Sequence, residues 1–115
     1  MVADPLSELL IQRCDRCGTG LFPDRLRCPR CGECSFTRVP AGHGLVEQET
    51  TLRHNRTGGV AAVRLGSVRL AAGPVVIARL DEGAAAGAGV HMVVDIHGAI
   101  WARRTELPAA PAPGQ

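Results

Sequence analysis

Tyrosine and lysine are absent from this 115-residue chain, and the remaining large aromatics are two Phe and one Trp. Single-stranded nucleic acid is held on stacking aromatics in a basic groove, and Trp101 alone cannot provide that platform. The apolar content is instead small and aliphatic, with 16 Ala and 11 Val. A chain of this length buries only about 60–70% of the surface its unfolded form exposes, so such a core is marginal. No run of 18 apolar residues occurs, which excludes a membrane-spanning helix. The opening MVADPLSELLIQR has neither the basic n-region nor the unbroken apolar stretch of a signal peptide, and the expected location is cytoplasmic. The 13 basic residues are all Arg and face 11 acids, for a net charge of +2. That is too small for the electrostatic footprint of a polyanion binder. A Ser-His-Asp order, a paired-carboxylate signature and a Gly-rich phosphate loop are also missing.

What the chain has is a concentration of cysteine. All five Cys fall between Cys14 and Cys34. Cys14-Asp15-Arg16-Cys17-Gly18 and Cys28-Pro29-Arg30-Cys31-Gly32 form two C-x₂-C-G knuckles ten residues apart. Two thiolates on one tight turn reach a single ion, and the following Gly permits the positive φ of the turn. Two such knuckles complete a tetrahedral S₄ site with metal–sulfur distances of about 2.3 Å for zinc. The metal ligands are therefore Cys14, Cys17, Cys28 and Cys31, holding one structural Zn²⁺. Four thiolates on Zn²⁺ carry two net negative charges, which brings the chain close to neutrality. A closed S₄ site leaves no position for water or substrate. Zinc supplies the folding free energy that so short a segment cannot obtain from burial. Iron uses the same S₄ geometry, and a thioredoxin-like redox pair would need a βαβ context that is missing. Cys34 also forms C-x₂-C with Cys31, but no Gly follows it, and it is read as a free thiol.

Downstream of Gly44 the pattern is one of short strands. They are expected at about 45–52, 60–65, 68–80, 90–96 and 99–103. Gly66-Ser67 reads as a tight hairpin turn, Gly73-Pro74 as a bend within the third strand, and 82–89 as a flexible link. In the fourth strand Val90, Met92, Val94 and Ile96 should face in, with His91, Val93, Asp95 and His97 facing out. Five short strands match a Greek-key barrel of the OB type, with a meander or SH3-like barrel giving nearly the same periodicity. The fold class is mainly β: a rubredoxin-like zinc ribbon over 9–39 followed by a five-stranded OB-like barrel over 42–104. The Pro/Ala tail over 108–115 cannot form a core and is expected to be disordered. Before Cys14 a turn of helix at most, then a strand, is expected.

Weaker signals lie in the barrel. Arg53 and Arg56 fall in the expected first inter-strand loop, on the usual ligand side of an OB barrel, and can contact a phosphate. A solvated polar loop is the plain alternative. His91, Asp95 and His97 share one strand face, but successive same-face residues are far apart for one ion. Trp101 is read as core or as a partner anchor.

The string Gln12-Arg13-Cys14-Asp15-Arg16-Cys17-Gly18, then Leu21-Phe22-Pro23, then Arg27-Cys28-Pro29-Arg30-Cys31-Gly32 resembles a family of zinc-ribbon plus OB-fold accessory proteins of acyl-CoA metabolism. Asp24 stands where that family often has a second Pro. Gly42-x-Gly44-x-Val46 with Thr50 is similar to its entry into the barrel. The resemblance implies a non-catalytic subunit that binds and stabilises a thiolase-like enzyme: a thiolase, an acyltransferase or a steroid side-chain aldolase. An enoyl-CoA hydratase is a further partner in some members. Acyl-CoA would be met through the partner, with Arg53 and Arg56 as phosphate contacts. The alternatives from other classes are a nucleic-acid-binding ribbon/OB module and a small electron-transfer protein with iron in the Cys₄ site.

Overall fold

The computed structural model describes residues 6–56 and 59–105, with the side chains of 54–61 outside the description. Among the described residues every regular element is a strand, as expected of Val-rich segments cut by Gly and Pro. The 108–115 tail, like Asp4-Pro5, lies outside the described residues.

Four short strands make up the N-terminal part: β1 (Ser7–Glu8), β2 (Leu10–Cys14), β3 (Gly20–Leu21) and β4 (Phe36–Pro40). Strand β2 is the centre of a three-stranded antiparallel sheet ordered β3-β2-β4. Its register runs from Leu10↔Pro40 to Cys14↔Phe36 on one side and pairs Gln12 with Leu21 on the other.

The barrel follows as β5 (His43–Arg56), β6 (Gly59–Leu70), β7 (Val75–Leu80), β8 (Gly89–Val94) and β9 (Ile100–Arg104). Pairing runs β5-β6-β7-β9-β8, and β8 returns to β5, so the sheet closes. The β7–β9 pair is parallel, Arg79↔Trp101 and Leu80↔Ala102. A meander or SH3-like barrel would join β7 to β8. Here the connection crosses over, which identifies the OB arrangement. Strand β7 alternates as a half-buried strand should: Val76, Ala78 and Leu80 point in, while Val75, Ile77 and Arg79 point out.

Several local expectations change. Gly66-Ser67 is not a turn: β6 runs unbroken through it, and the hairpin turn lies at Ala71–Pro74, where Gly73 has φ 120°. Gly66 is there for close approach. A Cβ on it would sit 2.9 Å from the Gln48 carbonyl oxygen and 2.9 Å from Leu80 Cδ2, the usual meaning of a glycine inside a strand. A bulge on β5 between Val46 and Gln48 accompanies it. In β8, Val90 and Met92 are fully buried as expected, but Val93 is buried too and Ile96 is 58% exposed. Val93 lies opposite Glu8 on one side and Trp101 on the other, so both neighbours cover it. Ile96 falls beyond the strand, because the Asp95 carboxylate accepts the N–H groups of His97 and Ala99 and turns the chain.

The link between β7 and β8 is fastened. Glu49 accepts the Ala86 N–H at 2.8 Å, and the Arg64 guanidinium donates to the carbonyls of Asp81 and Ala84 and to Glu49. Glu49 is held below the ordinary carboxylate pKa, first by the Ala86 N–H and then by Arg64.

The two parts share a core. Leu9 and Ile11, on either side of the start of β2, are buried together with Val46, Val68, Leu70 and Met92 of the barrel. The Leu9 N–H donates to Met92 and its carbonyl accepts from Ala41. Strand β3 also abuts the β6–β7 turn: a Cβ on Gly20 would lie 2.8 Å from the Ala72 carbonyl oxygen.

Candidate metal centre

The four expected ligands converge. The sulfurs of Cys14, Cys17, Cys28 and Cys31 all lie within 4.8 Å of one another, and they form the one such metal-ligating group among the described residues. Cys14 Sγ is 3.5 Å from Cys31 Sγ, and Cys17 Sγ is 3.7 Å from Cys28 Sγ. A tetrahedron with zinc–sulfur bonds of about 2.3 Å has edges of about 3.8 Å, so the donor set fits one zinc ion. When bound, zinc neutralises the thiolates and cross-links the two knuckles; with four protein sulfurs it has no open position.

Local backbone geometry explains the convergence. Gly18 has φ 79° and Gly32 φ 85°, the conformation for which the knuckle Gly is required. Each closes a turn back to the first Cys of its pair: the Gly18 N–H donates to the Cys14 carbonyl at 2.9 Å and the Gly32 N–H to Cys28 at 2.8 Å. The N–H groups of Arg16 and Cys17 point at Cys14 Sγ, at 3.4 and 3.5 Å.

The thiols cannot all ionise against one another without a cation. Cys17 is pulled down to about 6, chiefly by the Thr19 hydroxyl 3.0 Å away and then by the Thr19 backbone. At Cys31 the Glu33 backbone lowers the pKa, but burial and the sulfurs of Cys14, Cys17 and Cys28 outweigh it and push the thiol up to about 12. A divalent ion at their centre removes this conflict.

A polar shell holds the knuckles. Asp15 accepts from Ser35 Oγ and Thr37 Oγ1, each at 2.6 Å, tying the first knuckle to β4. Those hydroxyls, Ser35 first, keep its pKa below the usual value. The Gln12 side-chain amide clamps the backbone of Arg25, accepting its N–H at 2.7 Å and donating to its carbonyl at 3.1 Å. Asp24 pairs with Arg38 of β4. Short-range spacing carries no sign of these supporting roles, because each joins residues 13 to 22 positions apart. Gln12 stands out in the sequence only as the residue that opens the Gln12–Gly18 string.

Cys34 is exposed and outside the tetrad, with a weak contact to the Gly32 carbonyl at 3.9 Å. Arg53 and Arg56 are not in a loop. They lie on the long strand β5, opposite Ala62 and Gly59. Arg53 is exposed, and the Arg56 side chain lies outside the described residues. His91, Asp95 and His97 are not gathered. His91 Nε2 is 3.0 Å from Glu8, while Asp95 takes the Trp101 indole N–H at 2.9 Å as well as the two backbone N–H groups. The Trp101 bond is the first cause holding Asp95 below its ordinary pKa. Trp101 itself is half-buried, with the Arg79 guanidinium 5.8 Å from its ring centre.

Residues 4–41 match the family model of the ChsH2 rubredoxin-like zinc ribbon domain. Among solved structures, the chain is similar to one described as the Ltp2-ChsH2(DUF35) aldolase, at 23% identity and TM-score 0.67, over 84% of each chain. It is also similar to a DUF35-family protein of unknown function from Sulfolobus solfataricus, at 14% identity and TM-score 0.61, over 85% of this chain and 76% of that one. No curated protein matched the chain. The resemblance read from the cysteine string is borne out at the ribbon, where residues 4–41 match that domain model, and the chain as a whole is similar in fold to both solved structures.

Proposed function

We propose that this chain is a non-catalytic accessory subunit that binds and stabilises a thiolase-superfamily enzyme acting on acyl-CoA thioesters. The observation that carries the reading is the fold match, over 84% of both chains, to a protein described as the Ltp2-ChsH2(DUF35) aldolase. The metal centre supports it. A zinc ion enclosed by four cysteines stabilises the ribbon but cannot activate water or polarise a carbonyl. The nucleophile and base belong to the partner, and an aldolase that shortens an acyl-CoA side chain is the most specific form of that enzyme. An enoyl-CoA hydratase is a second partner. The cytoplasm is where such a complex would work. Arg53 and Arg56 contribute phosphate contacts to CoA held by the partner.

Co-expression with the neighbouring genes tests this. The expected result is one size-exclusion peak containing the chain and a thiolase-like enzyme, with acyl-CoA turnover that falls when the chain is left out. Two separate peaks at micromolar concentration, with turnover indifferent to the chain, would overturn it. Iron colour with a reversible potential, or salt-sensitive binding of single-stranded DNA, would replace it with one of the other two readings.

A further inference from the structure

The four metal ligands differ in what can reach them. Cys14 and Cys28 are each 1% exposed and Cys31 is half-buried, but Cys17 is exposed. The whole run from Asp15 to Gly18 lies at the surface, and the Cys17 sulfur meets the Thr19 hydroxyl there at 3.0 Å. One corner of the site therefore faces solvent.

A second sulfur stands behind that corner. Cys28 Sγ is 3.7 Å from Cys17 Sγ, across the gap between the two knuckles. The other exposed cysteine, Cys34, is placed differently. Its sulfur contacts the Gly32 carbonyl at 3.9 Å and is not among the four that lie within 4.8 Å of one another.

These positions imply different chemistry. The nucleophile toward a peroxide is the thiolate, not the thiol. A thiol that coordinates zinc is deprotonated outright, and Cys17 is the exposed member of the liganding set. Oxidation of cysteine is reversible when a second thiol captures the sulfenic acid before it goes further. Cys17 has such a neighbour in Cys28, whereas Cys34 stands outside the cluster.

We propose that Cys17 is a site of modification by hydrogen peroxide and that Cys28 resolves it, so that peroxide opens the metal centre by joining one ligand from each knuckle. In the first step the Cys17 thiolate attacks one peroxide oxygen. An S–O bond forms, the O–O bond breaks, hydroxide leaves, and Cys17 becomes a sulfenic acid. In the second step the Cys28 thiolate attacks the Cys17 sulfur. An S–S bond forms, the S–O bond breaks, and a second hydroxide leaves. Two thiolates and one hydrogen peroxide thus give one disulfide and two hydroxides. Cys14 and Cys31 remain, and two thiolates do not complete an S₄ site, so the metal is released. A dithiol reductant reverses the change by exchange and is itself oxidised. Two of the three buried residues in the ribbon cluster are ligands, while the barrel cluster contains none. The change therefore loosens the ribbon and leaves the barrel core in place. None of this depends on the accessory-subunit reading.

The test adds hydrogen peroxide to the zinc-loaded full chain and follows zinc with a chromogenic chelator. Trypsin then maps the sulfurs. Cleavage after Arg13, Arg16, Arg25, Arg27 and Arg30 puts Cys14, Cys17 and Cys28 on separate peptides, with Cys31 and Cys34 together on a fourth. The expected result is zinc release in step with peroxide consumed, and a main disulfide joining peptide 17–25 to peptide 28–30. Dimedone added with the peroxide should label peptide 17–25. Dithiothreitol with added zinc should restore the metal content. Cys34→Ala should release zinc at a rate within about twofold of wild type, because the reacting thiolate is Cys17. Zinc kept under excess peroxide, by wild type or by Cys34→Ala, would overturn the proposal. So would dimedone labelling confined to peptide 31–38, or a main disulfide joining any other two cysteines.

Discussion

The ribbon and the barrel stay folded by different means. Among the described residues, the ribbon's own buried cluster is Cys14, Leu21 and Cys28, with Cys31 and Phe36 packed beside it. Three of those five are metal ligands, so little apolar area remains to offset the entropy of ordering the chain. The barrel cluster has thirteen buried residues, all of them aliphatic or Met, with no aromatic among them. It relies on many small aliphatic contacts around a closed sheet. Ile11 and Leu9 belong to both parts, because β2 leaves the barrel core and ends at the first zinc ligand. A metal can therefore replace a core locally, but the replacement is mechanically joined to the core it lacks.

Removing the metal tests this contrast most severely. Structural zinc contributes an apparent binding free energy of about 10–16 kcal/mol in ribbon-sized peptides. Chelation, or Cys28→Ser, is expected to unfold residues 14–36 while barrel amides such as those of Val68 and Met92 stay dispersed, with reduced exchange protection. A ribbon that keeps native chemical shifts without metal would refute this. Ile11→Ala comes next. Ile11 is 0% exposed, and a buried Ile truncated to Ala costs about 2–5 kcal/mol. The loss should appear in urea unfolding of the zinc-loaded protein as one lowered transition, because the residue belongs to both parts. Two transitions, with only one lowered, would show that the seam does not couple them.

Gly20→Val addresses the second contact between the parts. Its first side-chain carbon meets the Ala72 carbonyl oxygen at 2.8 Å, and overpacking of this kind costs about 1–3 kcal/mol. Zinc content should stay at one per chain while the melting temperature falls.

Acid separates the two parts by the pH window in which each is lost. Protons compete with zinc for the thiolates, so zinc is lost as pH falls. In the barrel, Asp95 has its folded pKa lowered below 3.8 by the Trp101 indole N–H and the Ala99 and His97 N–H groups. Its contribution is fully present above the unfolded carboxylate pKa and is lost only as pH falls through the lowered folded value. Acid titration should release zinc, read by a chromogenic chelator, before the fluorescence of the single Trp changes. Asp95→Asn should remove the later change. The reverse order would mean that the ribbon is the more acid-resistant part. The smallest effect is expected at Cys34, where Cys34→Ala should leave one zinc per chain.

The metal centre was legible because its information is local. Each knuckle is a five-residue unit whose turn demands a glycine, and thiolate chemistry leaves few alternatives for two such units close together. Cys34 was separated from Cys31 by the same local rule. The five barrel strands were also legible as apolar periodicity, since Val and Ala runs need a sheet to bury them. Gly66 was misread because a glycine that permits a turn and one that permits close approach are the same letter. The partner atoms, the Gln48 carbonyl and Leu80, lie 18 and 14 residues away in sequence. Ile96 was misplaced because one carboxylate, Asp95, ended the strand before the alternation did.

Ligand identity, strand number and the small-aliphatic core were thus written in composition and short-range spacing. Barrel closure through a parallel β7–β9 pair, the shared burial of Leu9 and Ile11, and the Gln12 and Asp15 clamps required the folded chain. Those features join residues distant in sequence, and periodicity records which side of a strand is apolar without recording which strand lies beside it.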